Sequence, residues 1–406
     1  MAPLRLISLL VGLLVFPVSF AGAQPLPAGA VVRLGESVKE PMLGLGAVVP
    51  PGQFAMAVGR QVSLWDTATG RQIRQVEENS VYAHGLAAAP DGKTLAVGRL
   101  HMICLYDVAS GRLLHHWGTE LLGPHVGPVS TLLFSGDGHI LISGSYADKA
   151  VYFWDVAGRS KLGQLVTGQS DSRGIALAPG DKVLATADIR SIRLWDPATG
   201  KQLREFPGVN FGGTPHPLTF SPDGKLLAAG DDDGVVRLWD VATGKPVLQF
   251  AAGGRTGSRV RGLAFSPCGR SLACAAGELF QPRGLFLHEV ATGKVRRTFP
   301  GLDAAVVSVA FTRDGLLATA GTDGTALLWD VGDRRVAQAG PAALEAGQLA
   351  RRWADLAGGD AAAAFAAINA LAQRPRQAVP FLKGRLRPLP RLEERRDRTA
   401  DRTTRR

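Results

Sequence analysis

Residues 220–245 read FSPDGKLLAAGDDDGVVRLWDVATGK, and the order of parts in this stretch decides the fold. Ser221-Pro222-Asp223-Gly224 suits a type I turn, in which proline presets φ at the second position and glycine fits the fourth. Leu226-Leu227-Ala228-Ala229 and Val235-Val236-Arg237-Leu238-Trp239 are strand-length apolar runs bounded by turn residues, the second alternating roughly in and out. In Asp240-Val241-Ala242-Thr243-Gly244-Lys245 the aspartate can accept from backbone N–H groups two residues on. The glycine there takes the left-handed position of a tight hairpin.

This stretch is one of seven. Leu64-Trp65-Asp66, Leu105-Tyr106-Asp107, Phe153-Trp154-Asp155, Leu194-Trp195-Asp196, Leu238-Trp239-Asp240, Leu287-His288-Glu289 and Leu328-Trp329-Asp330 place their acidic residues 41, 48, 41, 44, 49 and 41 apart. Five of the seven tryptophans in the chain fall at this one position, which excludes coincidence. Variants of the first turn precede the copies: Ala89-Pro90-Asp91-Gly92, Phe134-Ser135-Gly136-Asp137-Gly138, Phe265-Ser266-Pro267-Cys268-Gly269 and Phe311-Thr312-Arg313-Asp314-Gly315. The fourth copy is worn to Ala178-Pro179-Gly180-Asp181. Four short strands per repeat make one small antiparallel sheet, which cannot bury both of its faces. Seven arranged radially can, with large residues outside and Ala and Gly near the axis.

On these residues the chain resembles the WD40 repeat family, over about 300 of its 406 residues. The resemblance implies an all-β, seven-bladed β-propeller in which an N-terminal strand completes the last blade. Val31-Val32-Arg33-Leu34-Gly35 is the expected closing strand, with Arg335-Val336-Ala337 competing for the place. The family's buried network of His, Ser/Thr, Asp and Trp implies one near-complete set in the third copy: His125, Ser143, Asp148 and Trp154. The sixth copy carries His288-Glu289 where Trp-Asp is usual, and the seventh has Asp303 near the expected His. The signature residues Trp65, Asp66, Asp107, Trp154, Asp155, Trp195, Asp196, Trp239, Asp240, Trp329 and Asp330 read as structural, as does His125.

The propeller is expected over 31–340, and different sequence surrounds it. In Met1 to Ala23, Arg5 precedes an apolar run from Leu6 to Phe20, followed by Ala21-Gly22-Ala23. This is the layout of a secretory signal peptide, too short and too broken by Pro17 to span a membrane. The mature chain is therefore expected to start at Gln24, to lie in the periplasm or outside the cell, and to keep no transmembrane segment. Over 343–388 the apolar period becomes helical: Leu349, Trp353 and Leu356, then Phe365, Ile368 and Leu371, then Val379, Leu382 and Leu386. Asp360 is placed to cap the second of three short helices, and Gly358-Gly359 ends the first. The match to HEAT repeats is weak, and so short a piece needs something to dock on. Residues 389–406 read as a solvated basic tail, with attraction to an anionic surface as the other reading.

The formal charge of +11 belongs mostly to the end of the chain. Residues 331–406 hold 16 Lys+Arg against 8 Asp+Glu, whereas 24–330 hold 29 against 27. A nucleic-acid partner for the propeller thus has no electrostatic support.

No constellation for catalysis emerges. Gly269-Arg270-Ser271-Leu272-Ala273 runs from a turn into a strand, the wrong setting for a nucleophile elbow. His288-Glu289 lacks a second metal-binding His, and no Cys-x-x-Cys pair occurs among Cys104, Cys268 and Cys274. Exported quinone-dependent dehydrogenases are also propellers, with a Thr-Gly-Lys turn followed by a Trp. Here Thr199-Gly200-Lys201, Thr243-Gly244-Lys245 and Thr292-Gly293-Lys294 match the turn, but Phe206, Phe250 and Phe299 end the next strand. The expectation is a non-enzymatic chain without metal or cofactor, binding a protein or peptide. The alternatives are that type of oxidoreductase and a purely structural envelope protein.

The two turn types should share one face, leaving the longer connections on the other, where function concentrates. Trp117, Phe211, His216, Arg255, Phe280 and Arg283 lie in those connections and are the expected partner-binding residues. The competing reading is that the aromatics seal gaps between blades.

Overall fold

Seven four-stranded antiparallel sheets follow one another along the chain and form a seven-bladed β-propeller. The computed structural model describes residues 25–36, 44–78, 81–119, 121–145, 147–168, 174–188, 191–207, 217–254, 256–278, 281–332, 344–372 and 374–385. Blades 1 to 6 are built from consecutive strands over 44–78, 85–117, 129–166, 174–207, 218–251 and 260–299. Blade 7 has strands Val306–Phe311, Leu316–Gly321 and Ala326–Asp330.

Its fourth strand is Ala30–Leu34, paired antiparallel with Ala326–Asp330 in the register Ala30↔Trp329 to Leu34↔Ala326. The expected closing strand therefore takes the outermost place, and Arg335-Val336-Ala337 lies outside the described residues. Closure is also visible at the axis. The first strands of successive blades touch in order, and that of blade 7 meets that of blade 1.

Small residues permit this approach. A Cβ on Gly98 would stand 2.3 Å from the Val129 carbonyl oxygen of the next blade, and one on Gly230 would stand 2.4 Å from Val260. The large side chains lie farther out, between sheets. Trp239 of blade 5 stacks on Phe206 of blade 4 at 5.6 Å and 10° between planes. Leu34 of the closing strand joins Phe54 and Met56 of blade 1 in one core with Leu328 of blade 7. At about 1.5–3 kcal/mol for each large apolar side chain removed from water, these seams stabilise the ring that no single sheet could hold.

Three helices follow: α1 (Ala346–Ala357), α2 (Ala361–Ala372) and α3 (Pro375–Lys383). Asp360 Oδ1 accepts from the N–H groups of Ala362 and Ala363 at 2.8 and 3.2 Å, and Gly358 caps α1. Their own core is small, centred on Leu349, Leu371 and Ala378. The unit docks on the propeller through α2, which lies against the outer strand of blade 6, Val295–Phe299. Leu386 is outside the described residues, as are 1–23 and 389–406.

Candidate functional site: the loop-bearing face

The two turn types do share a face, and hydrogen bonds between them hold it. Val241 N donates to Lys225 O at 2.8 Å, and the equivalents Val108 to Lys93, Val156 to His139 and Val290 to Arg270 repeat the bond in other blades. Within the first turn of blade 5, Ser221 Oγ donates to Asp223 Oδ1 at 2.6 Å and accepts from Leu226 N at 2.9 Å. In the second, Asp240 Oδ1 accepts from both the N–H and the hydroxyl of Thr243 at 2.7 Å. Asp66 and Asp107 do the same with Thr69 and Ser110.

The hydroxyl bond first, and then the backbone N–H, hold the carboxyls of Asp66, Asp107 and Asp240 below the usual range. Asp196 follows the same pattern with Thr199. These carboxylates are committed acceptors rather than acids or bases in reserve. In blade 6 Cys268 takes the aspartate's place, with Sγ 3.4 Å from Ser266 Oγ. Burial pushes that thiol up, but donors on Ser266 and Arg270 outweigh it and leave it lowered. Cys274 is fully buried, and its thiol is pushed far up. All three cysteines are free.

The opposite face is built from the turns between second and third strands and from the connections between blades. In blade 3 the expected network is present. Trp154 Nε1 donates to Ser143 Oγ at 2.8 Å, Ser143 lies 2.7 Å from His125 Nε2, and His125 Nδ1 contacts Asp148 Oδ2. Asp148 Oδ1 also accepts from Val126 N at 2.9 Å, so the set pins the entry of the blade to its far turn.

Parts of the network occur elsewhere. Trp195 Nε1 donates to Thr186 at 2.8 Å, and Trp329 Nε1 to Thr319 at 3.0 Å. Asp303 is exposed and does not replace the histidine. Leu302 stands nine residues before Phe311, as His125 stands nine before Phe134. In blade 6 His288 is fully buried; its Nδ1 lies 2.8 Å from Gly293 O, and its Nε2 accepts from Gly253 N at 3.2 Å. Burial holds this imidazole below its ordinary pKa, and the Gly293 carbonyl opposes that shift. A neutral ring donating from Nδ1 and accepting at Nε2 satisfies both bonds.

Among the described residues, the connection from blade 2 to blade 3 is the most exposed apolar feature of this face. Thr119 N donates to Leu122 O at 2.6 Å, and Leu122 N donates back to Thr119 Oγ1 at 3.0 Å. The loop base is pressed against His101, since a Cβ on Gly123 would fall 1.7 Å from its carbonyl oxygen. His101 Nδ1 in turn lies 3.1 Å from His125 O. On this tied loop Leu121 is 86 % and Leu122 79 % exposed, and the neighbouring Val126 is 75 % exposed. Leu100, beside His101, adds a fourth exposed apolar side chain.

Of the residues expected to bind a partner, Trp117 is corrected. It is buried, packs on Trp154 with centroids 4.8 Å apart, and donates from Nε1 to Arg159 O at 3.1 Å. The physical reason is its place at the end of an outer strand, over the next blade's signature tryptophan. It seals the seam. Phe211, His216, Arg255 and Phe280 lie outside the described residues, and Arg283 lies in the strand Gln281–Glu289. Within the connection His116 to Pro124, sequence reasoning singled out Trp117 and not Leu121 or Leu122. The available signal was two leucines between Gly118 and Gly123-Pro124 in a connection too polar at its ends to be a strand.

Among the described residues no group of three or more His, Cys, Asp or Glu could hold a metal ion. Among them also, no helix is long and apolar enough to cross a membrane.

Comparison with known proteins agrees with this geometry. The family model described as WD domain, G-beta repeat matches residues 119–155, 218–240 and 293–330. The chain is 33 % identical over 120 residues to a periodic tryptophan protein 2 homolog of Schizosaccharomyces pombe, covering 29 % of this chain and 13 % of that protein. It is 25 % identical over 215 residues to the serine-threonine kinase receptor-associated protein of Mus musculus, covering 52 % and 58 %. The small ribosomal subunit protein RACK1z of Arabidopsis thaliana matches at 29 % over 126 residues, 27 % of this chain and 38 % of that one. The chain thus spans less than two thirds of the length of these relatives. A chain in the crystal structure of a mitotic checkpoint complex superposes with a TM-score of 0.64 at 24 % identity, over 75 % of this chain and 95 % of that one. With seven signature strands in seven blades and three stretches matched by the family's own model, the chain belongs to the WD40 repeat family.

Proposed function

We propose that this chain is a non-enzymatic, exported protein-interaction scaffold that docks a protein or peptide on its loop-bearing face. The observation that carries the reading is the tied loop at 118–124, which holds Leu121 and Leu122 in water at 86 % and 79 % exposure. Exposed leucines on a hydrogen-bonded loop offer apolar area to a partner with little ordering cost. The relatives support a binding role, since one is named as receptor-associated and another comes from a multiprotein complex. The committed signature carboxylates favour the same reading over acid–base chemistry. Export rests on residues 1–23 alone, and contact of the basic tail with an anionic surface rests on residues 389–406.

Phe211, His216, Arg255, Phe280 and Arg283 are the further partner-binding residues of this proposal. The test is a photoreactive side chain placed at position 122 and, separately, at position 162 on the rim of the mature protein in its own envelope. A discrete crosslinked protein from 122, absent from 162 and lost when Leu121→Asp is added to the chain carrying the probe at 122, is the expected result. Equal crosslinking from both positions, or none from 122, would contradict it.

A further inference from the structure

Every blade carries a β-bulge at the same place in its outer strand, opposite the signature position. The register skips one residue each time: Ile73, Leu114, Leu162, Leu203, Val247, Arg296 and, in the closing strand, Val31. A bulged residue leaves the ladder and turns outward. In six blades it is aliphatic, and five of these side chains stand exposed on the rim. Blade 6 alone has a cation there.

Blade 6 is also the blade on which the helical unit sits. The guanidinium of Arg296 lies 5.2 Å from the centre of the Phe365 ring of α2, and its side chain is only 9 % exposed. It is held in place from behind, by Glu289 Oε1 and by Ser271 Oγ at 3.1 Å. Phe365 packs on the core of the seam between blades 6 and 7, and Lys294 Nζ donates to Gly359 O at 2.8 Å just before α2. A desolvated guanidinium over an aromatic face is attractive where an aliphatic side chain would offer contact alone.

We propose that Arg296 is the residue that assigns the helical unit to blade 6, and that the outer edge of this blade is a seat for a helix bearing an aromatic side chain. The other rims present the same bulge without the cation, so they do not compete for α2.

Hydrogen exchange on the full mature chain tests this, with Arg296→Leu, Phe365→Ala and the double variant compared peptide by peptide. Each single variant should raise exchange in α1–α3 by about tenfold, consistent with losing one partly buried cation–π contact. Blades 1 to 5 should exchange as before, and the double variant should add little to either single. Phe365→Ala alters α2 and leaves the sequence of every strand intact, and so reads docking even if blade 6 tolerates the arginine change poorly. Unchanged exchange of the helices in Phe365→Ala, or full additivity in the double variant, would overturn the assignment.

Discussion

The indole of Trp117 lies 4.8 Å from that of Trp154, joining the outer strand of blade 2 to the signature of blade 3. This pair decides what a substitution at Trp117 does. Truncation to alanine removes one ring of a packed seam and the Nε1 bond to Arg159 O. Trp117→Ala should cost about 3 kcal/mol or more in urea unfolding. Crosslinking from position 122 should persist at temperatures where the variant stays folded.

Ser143 stands in the middle of a directed chain. Trp154 Nε1–H donates to Ser143 Oγ, and the serine hydroxyl is then free to donate to His125 Nε2, whose other nitrogen faces Asp148. Ser143→Ala leaves an indole donor and an imidazole acceptor buried without their partner. The expected loss is about 1–3 kcal/mol, read from the midpoint of chemical denaturation. Ser143→Thr keeps the hydroxyl, as Thr186 and Thr319 do in blades 4 and 7, and should lose less.

Arg159 has φ of +54°, in the position that Gly200, Gly244 and Gly293 fill in other blades with φ near +70°. The left-handed region costs an ordinary L-residue about 1–2 kcal/mol, part of which glycine gives back in unfolded-chain entropy. Arg159→Gly should therefore raise stability by about 0.5–1 kcal/mol. The backbone carbonyl that Trp117 uses is retained. A lower denaturation midpoint in the variant would count against the assignment of strain.

His288 makes stability depend on pH. Its imidazole is buried and held below the ordinary value of 6.5, so the folded state disfavours the proton that the unfolded chain accepts. The stabilising contribution is complete above pH 6.5 and is lost as pH falls toward the folded-state pKa. His288→Phe keeps an aromatic volume and removes the titration, at a constant cost for the Gly253 N–H left without its acceptor. Thermal melts from pH 8 to 5 should therefore show a smaller decline in the variant than in the parent chain. His84, also lowered by burial first and by Arg99 second, titrates alike in both and cancels in the comparison.

Much of the fold was legible because repetition averages out local wear. The worn turn Ala178–Asp181 could be placed because five other copies set its length and position, and it folds as a turn, with Asp181 N donating to Ala178 O. The closing strand was expected because the family resemblance implies N-terminal closure, with the apolar run at 31–35 and Arg335-Val336-Ala337 as the competing candidates, and the pairing with Ala326–Asp330 decides for the first. The binding face was less legible. Trp117 was singled out by residue type, yet type does not reveal that an outer-strand terminus is covered by the next blade. Leu121 and Leu122 fall in a connection whose course the sequence does not give, and the hydrogen bonds of Thr119 tie that loop with both leucines exposed. The bulge position was invisible for a different reason. Register is a relation between two strands, and Arg296 acquires meaning only when its six counterparts are aligned through their partners.

The central claim is a ring of seven blades closed by Ala30–Leu34, and hydrogen exchange of the peptide covering that strand tests it most directly. If the strand is the outermost member of blade 7, this peptide should exchange as slowly as the outer-strand peptides of blades 1 to 5. Exchange at the rate of an unprotected chain, while those strands stay protected, would mean that the ring is closed by something else.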